Sequence, residues 1–521
     1  MEIYVANNSG FCFGVKRAIK LAENTLNENQ NDEKVYSYGD LIHNPQVVEK
    51  FDKKGLKVIN DFEKEKKGTI VLRSHGIHPN IKKKMIEYGH KCIDCTCPVL
   101  LNVYRKIEKK VENGYEIIDL PEEADIIMVN TCGFINDAKK ESIEHIFDMS
   151  YRKKDGGKLV ISGCLSQRYS EELSIEIPEA DCIIGVNQYS KLPEILSDID
   201  NNHVAANSCD LDYLEKNVRK LSNNPYTASL KIAEGCDNTC TYCIIPMIRG
   251  KYRSKKMEDI VAEARELAAA GCKELILIAQ DLTYYGRDLY GKFVLPELLR
   301  ELCKIDGIEW IRLMYCYDER ITDELIKVMA EEEKICKYID IPLQHASDRV
   351  LKSMRRQTTG KSIKETLAKL KAAMPDIHVR TTLIVGFPGE TDDDYNQLLE
   401  LVESEKFSRL GVFTYSQEEG TVAAEMDNQI DDEIKQIRFD GVMRRQMLIS
   451  SELNQEKIGK VFEVIVDSKD EDGSFLGRTR FDAPEIDNSV IFTSKNELKS
   501  GDIVKVKIND AFDYDIIGEE I

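Results

Sequence analysis

The feature that most constrains this chain is a ten-residue loop, Glu234-Gly235-Cys236-Asp237-Asn238-Thr239-Cys240-Thr241-Tyr242-Cys243, with three cysteines spaced Cys-x3-Cys-x2-Cys. The loop directly follows an apolar run at 229–233 that reads as a strand. Further short apolar runs at 274–279, 310–315, 338–342, 381–385 and 410–415 alternate with helical patterns at 257–270, 295–303, 322–331, 362–374 and 392–405. Short strands alternating with longer helices predict a parallel sheet, and six such units suit a partial barrel. Barrels of this kind carry their chemistry at the carboxyl ends of the strands, where the cysteine loop falls.

Three thiolates on one loop can hold three irons of a [4Fe–4S] cube and leave the fourth iron without a protein ligand. That open iron can chelate S-adenosylmethionine, which then receives an electron and splits into methionine and a carbon radical; the protein supplies position and a dry cavity. Tyr242, between the last two thiols, is placed to pack on the adenine. The competing reading is a structural zinc site on Cys240 and Cys243, which needs a second pair of ligands that the neighbouring sequence does not offer. Gln280 and Asp281 follow the second strand, Gln344 and His345 the fourth, and Arg380 precedes the fifth, which Gly386-Phe387-Pro388-Gly389-Glu390 follows. Taken singly these are structural features, the Gly-Pro-Gly segment a tight turn. At successive strand ends, Gln280, Arg380 and Gly386 read together as a cofactor pocket.

The flanks read as further domains. The chain's 521 residues, 42% hydrophobic, allow three or four. Runs at 125–130 and 158–162 are strand-like, and Cys132 and Cys164 follow them closely. This α/β domain ends near Ile199, and the polar stretch at 201–224 is a linker. A charged helical stretch at 431–456 precedes a tail of short strands with turn signals at Asp472-Gly473 and Ser500-Gly501, which predicts a small β-barrel. The fold class is therefore α/β multidomain, with boundaries at 1–95, 96–200, 225–450 and 455–521. Fifteen cysteines in a reducing compartment point to ligands rather than disulfides where they cluster. The isolated Cys272, Cys303, Cys316 and Cys336 read as small buried hydrophobes. No run approaches the roughly 20 apolar residues of a membrane span, and the first 20 residues carry no secretory pattern, so the chain is expected to be cytoplasmic, with no membrane partner.

The net charge of −20 opposes nucleic-acid backbones and accommodates a basic protein partner. From Glu456 onward there are 16 acidic and 9 basic residues, a net of −7.

From about Gly114 to Ile521 the chain resembles the methylthiotransferase family, in its ribosomal-protein branch. The resemblance rests on Asn130-Thr131-Cys132-Gly133-Phe134-Ile135, Gly163-Cys164-Leu165-Ser166-Gln167-Arg168-Tyr169, the Cys236 loop, Ile341-Pro342-Leu343-Gln344-His345-Ala346-Ser347, and Gly477-Arg478-Thr479-Arg480-Phe481-Asp482-Ala483-Pro484-Glu485-Ile486-Asp487. It implies a radical SAM partial barrel, a C-terminal TRAM barrel that engages the substrate, and two [4Fe–4S] clusters with S-adenosylmethionine. The radical cluster would sit on Cys236, Cys240 and Cys243, and an auxiliary cluster on Cys132, Cys164 and one further cysteine. The implied target is an aspartate of the twelfth small-subunit ribosomal protein. In the implied sequence a sulfur of the auxiliary cluster is methylated by one S-adenosylmethionine. A second is cleaved to a deoxyadenosyl radical that removes hydrogen from the aspartate β-carbon, and the carbon radical takes up the methylthio group. Reduced flavodoxin or ferredoxin is the expected electron donor. The sister branch methylthiolates tRNA; the acidic 481–487 segment and the tail's charge favour a basic protein instead.

The first hundred residues resemble another family, hydroxymethylbutenyl diphosphate reductase, through Ser9-Gly10-Phe11-Cys12-Phe13-Gly14-Val15-Lys16-Arg17-Ala18, His43-Asn44-Pro45, Arg73-Ser74-His75-Gly76 and Asp94-Cys95-Thr96-Cys97-Pro98. That resemblance implies cluster ligands at Cys12 and Cys97 and diphosphate contacts from His43 and His75. It stops near Tyr115, short of that family's third cysteine and catalytic Glu segment, so these residues read as vestigial. The methylthiotransferase half likewise lacks its usual first strand and first auxiliary cysteine. Both families share the order strand, Cys-Pro, helix, Gly-Tyr, strand, here with the strand at 91–94 and the helix at 100–112. Cys97 lies 35 positions before Cys132, close to the family interval, and is the candidate third auxiliary ligand. The alternatives are a zinc or incidental site on His90, Cys92, Cys95 and Cys97, or a hybrid, from gene fusion or sequence assembly, whose auxiliary cluster is incomplete.

Overall fold

The computed structural model describes residues 120–199 and 225–521 almost throughout, and within the first 119 residues mainly 34–38, 53–59, 66–72 and 88–94. Cys12, His43, His75, Cys95 and Cys97 lie outside the described residues. The chain divides into two compact units, Met1–Asp119 and Leu120–Ile521.

The first unit contains a parallel sheet of β1 (Val35–Tyr38), β2 (Leu56–Ile59), β3 (Thr69–Leu72) and β4 (Lys91–Asp94), ordered β2-β1-β3-β4. Thr-Ile-Val-Leu in β3 is the near-continuous apolar run of a central parallel strand. Tyr36, Ile59, Phe62, Ile70 and Met85 form its core. The expected strand at 91–94 is present. Of the helix expected at 100–112 only Lys109–Lys110 lies within the described residues, and that pair is extended, pairing antiparallel with Glu116–Ile117.

The second unit begins with a small parallel sheet of β5 (Ile126–Thr131), β6 (Lys158–Gly163) and β7 (Cys182–Ile183). Helix α1 (Asn136–Arg152) covers it, burying Ile146 and Met149 against Ile127, Val129, Leu159 and Ile161. Two short helices, α2 (Cys164–Arg168) and α3 (Ser170–Glu176), follow β6.

The six expected strand–helix units form one parallel sheet of β8 (Thr227–Lys231), β9 (Glu274–Ile278), β10 (Trp310–Leu313), β11 (Ile335–Gln344), β12 (His378–Val385) and β13 (Arg409–Thr414). Its strand order follows the sequence. Strand alternation sorts the side chains. Leu275, Leu277, Ile311, Leu313, Ile339, Ile341, Val379 and Leu383 face the surrounding helices, and each such fully buried chain is worth about 1.5–3 kcal/mol. The helices are α5 (Met257–Ala269), α6 (Leu295–Cys303), α7 (Asp323–Glu331), α9 (Gly360–Ala373) and α10 (Asp392–Glu405), with α4 (Ile245–Arg249) and α8 (Asp348–Ser353) as short insertions. Thr359 and Thr391 start α9 and α10 with reciprocal capping boxes to Ser362 and Asp394. The long α11 (Asp432–Gln455) leads to the tail.

The tail is a closed barrel of β14 (Val461–Lys469), β15 (Phe475–Thr479), β16 (Val490–Thr493), β17 (Ile503–Ala511) and β18 (Ile516–Glu520). It closes the amino-terminal end of the larger sheet, where Ile465 and Ala483 meet Ile276, Trp310 and Tyr338. Buried Glu274 accepts from Arg312 Nε at 2.9 Å and from Arg478 Nη1 at 3.0 Å. Tyr338 donates to Asp487 Oδ2 at 2.7 Å. This joint corrects one inference from the tail's charge. Asp482 and Asp487 are turned inward onto Arg409, Tyr338 and Arg380, so these two acids of the 481–487 segment hold the barrel rather than face a basic partner. Among the described residues no helix is long and apolar enough to cross a membrane.

Candidate active site

The cysteine loop leaves β8 at its carboxyl end. Gly235 makes the first bend possible: its φ is +81°, and the Lys251 carbonyl occupies the space a Cβ would need. Cys236 N donates to Gly250 O at 3.1 Å, and Tyr252 N to Asp237 Oδ1 at 2.9 Å. Buried Asp281, just beyond β9, accepts from Asn238 Nδ2 at 2.9 Å and from Arg320 Nη1 at 2.7 Å. On the far side Thr241 N donates to Met354 O at 3.1 Å, and Ala423 N returns to Thr241 O at 2.9 Å. The loop is therefore tied to four neighbouring segments, a preorganisation suited to holding a cofactor.

Cys236 and Cys240 are buried and Cys243 is half-buried. Burial pushes the Cys236 thiol up to about 11 and the Cys243 thiol up to about 12. Thiols so placed become thiolates only with a positive partner such as iron. Among the described residues no three His, Cys, Asp or Glu side chains are gathered around one metal-ion position. A single zinc ion draws all its ligands to about 2.0–2.3 Å, whereas the thiolates of a cube sit on separate irons. Three thiols on a tethered loop fit the cube, which Cys236, Cys240 and Cys243 would hold.

Tyr242 packs beside Met354, Phe387 and Tyr415. Gln280 Nε2 donates to Glu234 Oε1 at 3.1 Å, next to the loop. Gly386, at the end of β12 with φ +72°, has its amide and that of Phe387 turned onto Glu390, while the Lys435 side chain fills the space a Cβ would take. Arg380 lies lower in the sheet, paired with Asp340 at 2.8 Å and Asp487 at 3.4 Å. Gln280 and Gly386 thus stand at the loop's end of the sheet, and Arg380 toward the tail.

Cys132 and Cys164 come together through the smaller sheet. Thr131 and Gly163 are paired in register, so the two cysteines leave adjacent parallel strands, a strand spacing of about 4.8 Å apart. Gly133 packs directly on the backbone of Cys164 and Leu165, and Gly163, with φ +107°, on that of Thr131. A side chain at either glycine would push these two turns apart. Cys132 is exposed and Cys164 half-buried. The sheet docks on the larger barrel through buried Glu418, which accepts from Lys139 at 2.8 Å and Arg168 at 3.0 Å. Arg168 Nη2 also donates to Glu419 O at 2.6 Å.

The residues that sequence reasoning missed are mostly arginines. Arg249 donates from Nη1 to Glu234 Oε1 at 2.8 Å and from Nη2 to Cys164 Sγ at 3.2 Å. Arg356 is buried over the Tyr317 ring, 4.2 Å from its centroid, with Nη2 on Asp318 Oδ1 at 3.1 Å and its Nε and Nη1 unpartnered. It lines a cavity of about 210 Å³ beside Cys240, with Arg320, Tyr284 and Glu319. No local pattern marks these residues, because their partners lie 15 to 85 positions away.

Three thiols on a loop at the end of a parallel partial barrel define a radical SAM enzyme, and residues 230–402 match the Radical SAM superfamily. Residues 458–521 match the TRAM domain and residues 3–147 the LytB protein family, further along the chain than the front-end motifs reach. The chain is 51% identical over 410 residues to the ribosomal protein uS12 methylthiotransferase RimO of Clostridioides difficile, covering 78% of this chain and 92% of that one. It is 49% identical to the protein of the same name from Desulforamulus reducens, over 78% of this chain and 94% of that one. It therefore belongs to the RimO methylthiotransferase family, a family of transferases that use S-adenosylmethionine and [4Fe–4S] clusters. Among solved structures, the radical S-adenosylmethionine methyltransferase TsrM from Kitasatospora setae aligns with a TM-score of 0.45 at 11% identity, covering 73% of this chain and 89% of that one.

Proposed function

We propose that this chain replaces a hydrogen on the β-carbon of an aspartate in ribosomal protein uS12 with a methylthio group. The observation that carries the reading is that two cysteine sites meet at one end of the barrel: Cys164, beside Cys132, is hydrogen-bonded to Arg249, which is bonded in turn to Glu234 at the base of the Cys236 loop. A sulfur source next to a radical source is the arrangement that methylthio transfer requires. When bound, the clusters and S-adenosylmethionine supply the electron, the hydrogen-abstracting radical and the sulfur. The chain's own residues hold these groups in register: Cys236, Cys240 and Cys243 on the loop, Cys132 and Cys164 on the paired turns, and Glu418 between the two domains. Tyr242 and Gly386 fit a wall of the adenosyl pocket, and Gln280 holds Glu234.

The third auxiliary thiol in this proposal is Cys97. Iron and sulfide are counted after anaerobic reconstitution. Wild type should hold about eight irons per chain and Cys97→Ala about four, with the radical cluster retained. Equal iron in both proteins would remove Cys97 from the site. About four irons in both would leave a radical site without a sulfur donor, the hybrid reading. Hydrogen abstraction is tested with a uS12 peptide deuterated at the aspartate β-carbon: deuterium should be recovered in the deoxyadenosine product, and its absence there refutes the assigned carbon.

A further inference from the structure

We propose that Arg249 is a positioning residue that polarises the Cys164 sulfur from the barrel side and so sets the reduction potential of the auxiliary cluster. The proposal rests on the reading of Cys164 as a ligand of that cluster.

Arg249 ends α4, which begins two residues after Cys243, and Gly250 with φ +74° stops the helix there. Its backbone is pinned by Arg253 Nη2 donating to Arg249 O at 3.0 Å. Its head is pinned by Glu234, which is 1% exposed and accepts also from Lys231 at 2.7 Å and Gln280 at 3.1 Å. With Nη1 committed to Glu234, the planar fork aims Nη2 at Cys164 Sγ, 3.2 Å away. A cationic N–H donated to a cluster thiolate withdraws charge from it, and hydrogen bonds to the sulfurs are among the terms that set cluster potentials. Lysine, a point charge without the fork, cannot reach both partners in the same geometry. The contact also crosses the joint between the two domains, so the potential becomes sensitive to their docking.

The test uses the full chain carrying Cys236→Ala, Cys240→Ala and Cys243→Ala, in which only the auxiliary cluster remains. Iron content and the midpoint potential, followed by electron paramagnetic resonance, are compared with and without Arg249→Gln or Arg249→Lys. The expected parent holds about four irons. The expected Arg249→Gln protein keeps that iron at a more negative potential, with Arg249→Lys between the two. Full iron at an unchanged potential in Arg249→Gln overturns the role of Arg249 while leaving Cys164 a ligand. If Arg249→Gln loses its cluster, Arg249→Lys carries the comparison, and loss of iron from both makes the contact purely structural and overturns the proposal. A parent without iron overturns the ligand reading itself, and the proposal with it.

Discussion

Asp482 accepts from Arg409 Nε at 3.1 Å where both side chains are less than a tenth exposed. This pair fastens the tail barrel to the larger one. Burial works against the Asp482 charge, but Arg409 and Lys457 outweigh it and hold the carboxyl down at about 2, below its ordinary 3.8. Because the folded state favours the ionised form, the stabilisation is complete above about pH 4 and is lost as the pH falls through about 2. Asp482→Asn should destabilise the joint by about 3–5 kcal/mol at neutral pH, because Arg409 is left buried and unpaired. The gap between variant and wild type should narrow from pH 4 to pH 2. Hydrogen exchange at the joint across that range checks both statements, and a gap that widens on acidification contradicts the assignment.

Gly235 sets up the cysteine loop. An alanine there meets the Lys251 carbonyl and a disfavoured φ, at a cost of at least about 1 kcal/mol. The strain falls on the residue next to Cys236. Gly235→Ala should lose about four irons per chain on reconstitution while the far-ultraviolet dichroism of the barrel is unchanged. Full iron loading in that variant would show that the bend tolerates a side chain.

Much of this site was legible in the sequence, and the reason is local. The three thiols lie within eight residues, and the six strand–helix units have periods that short windows expose. That Cys132 and Cys164 share a site was an implication of the family resemblance, and the register of Thr131 with Gly163 puts the turns that carry them side by side. What remained hidden depends on distant partners. Nothing in the sequence around Arg249 points to Cys164, which lies 85 positions away and reaches it only through the smaller sheet. The tail's acidity reads as a surface property until Asp482 and Asp487 are seen to face inward. A composition counts charges and is blind to their direction.

Glu418 holds the smaller sheet on the barrel through Lys139 and Arg168, both largely buried. Lys139 and Ser416 lead the contacts that outweigh burial and lower its pKa, so it is ionised at neutral pH. Glu418→Ala should loosen the docking without touching either cysteine set. Cleavage of S-adenosylmethionine should persist at the wild-type rate, while methylthio transfer falls by at least about tenfold, equivalent to about 1.4 kcal/mol. Equal losses in both rates would place Glu418 in the radical site instead.

The most direct measurement is the mass of the substrate after turnover. Reconstituted chain, S-adenosylmethionine and a reductant are incubated in parallel with uS12 and with bulk tRNA, alongside a Cys164→Ala control. The account predicts that uS12 gains the mass of one methylthio group in place of one hydrogen, localised to a single aspartate, that tRNA is unchanged, and that the control cleaves S-adenosylmethionine without modifying either. A methylthio group on tRNA, or on neither substrate despite eight irons per chain, would contradict it.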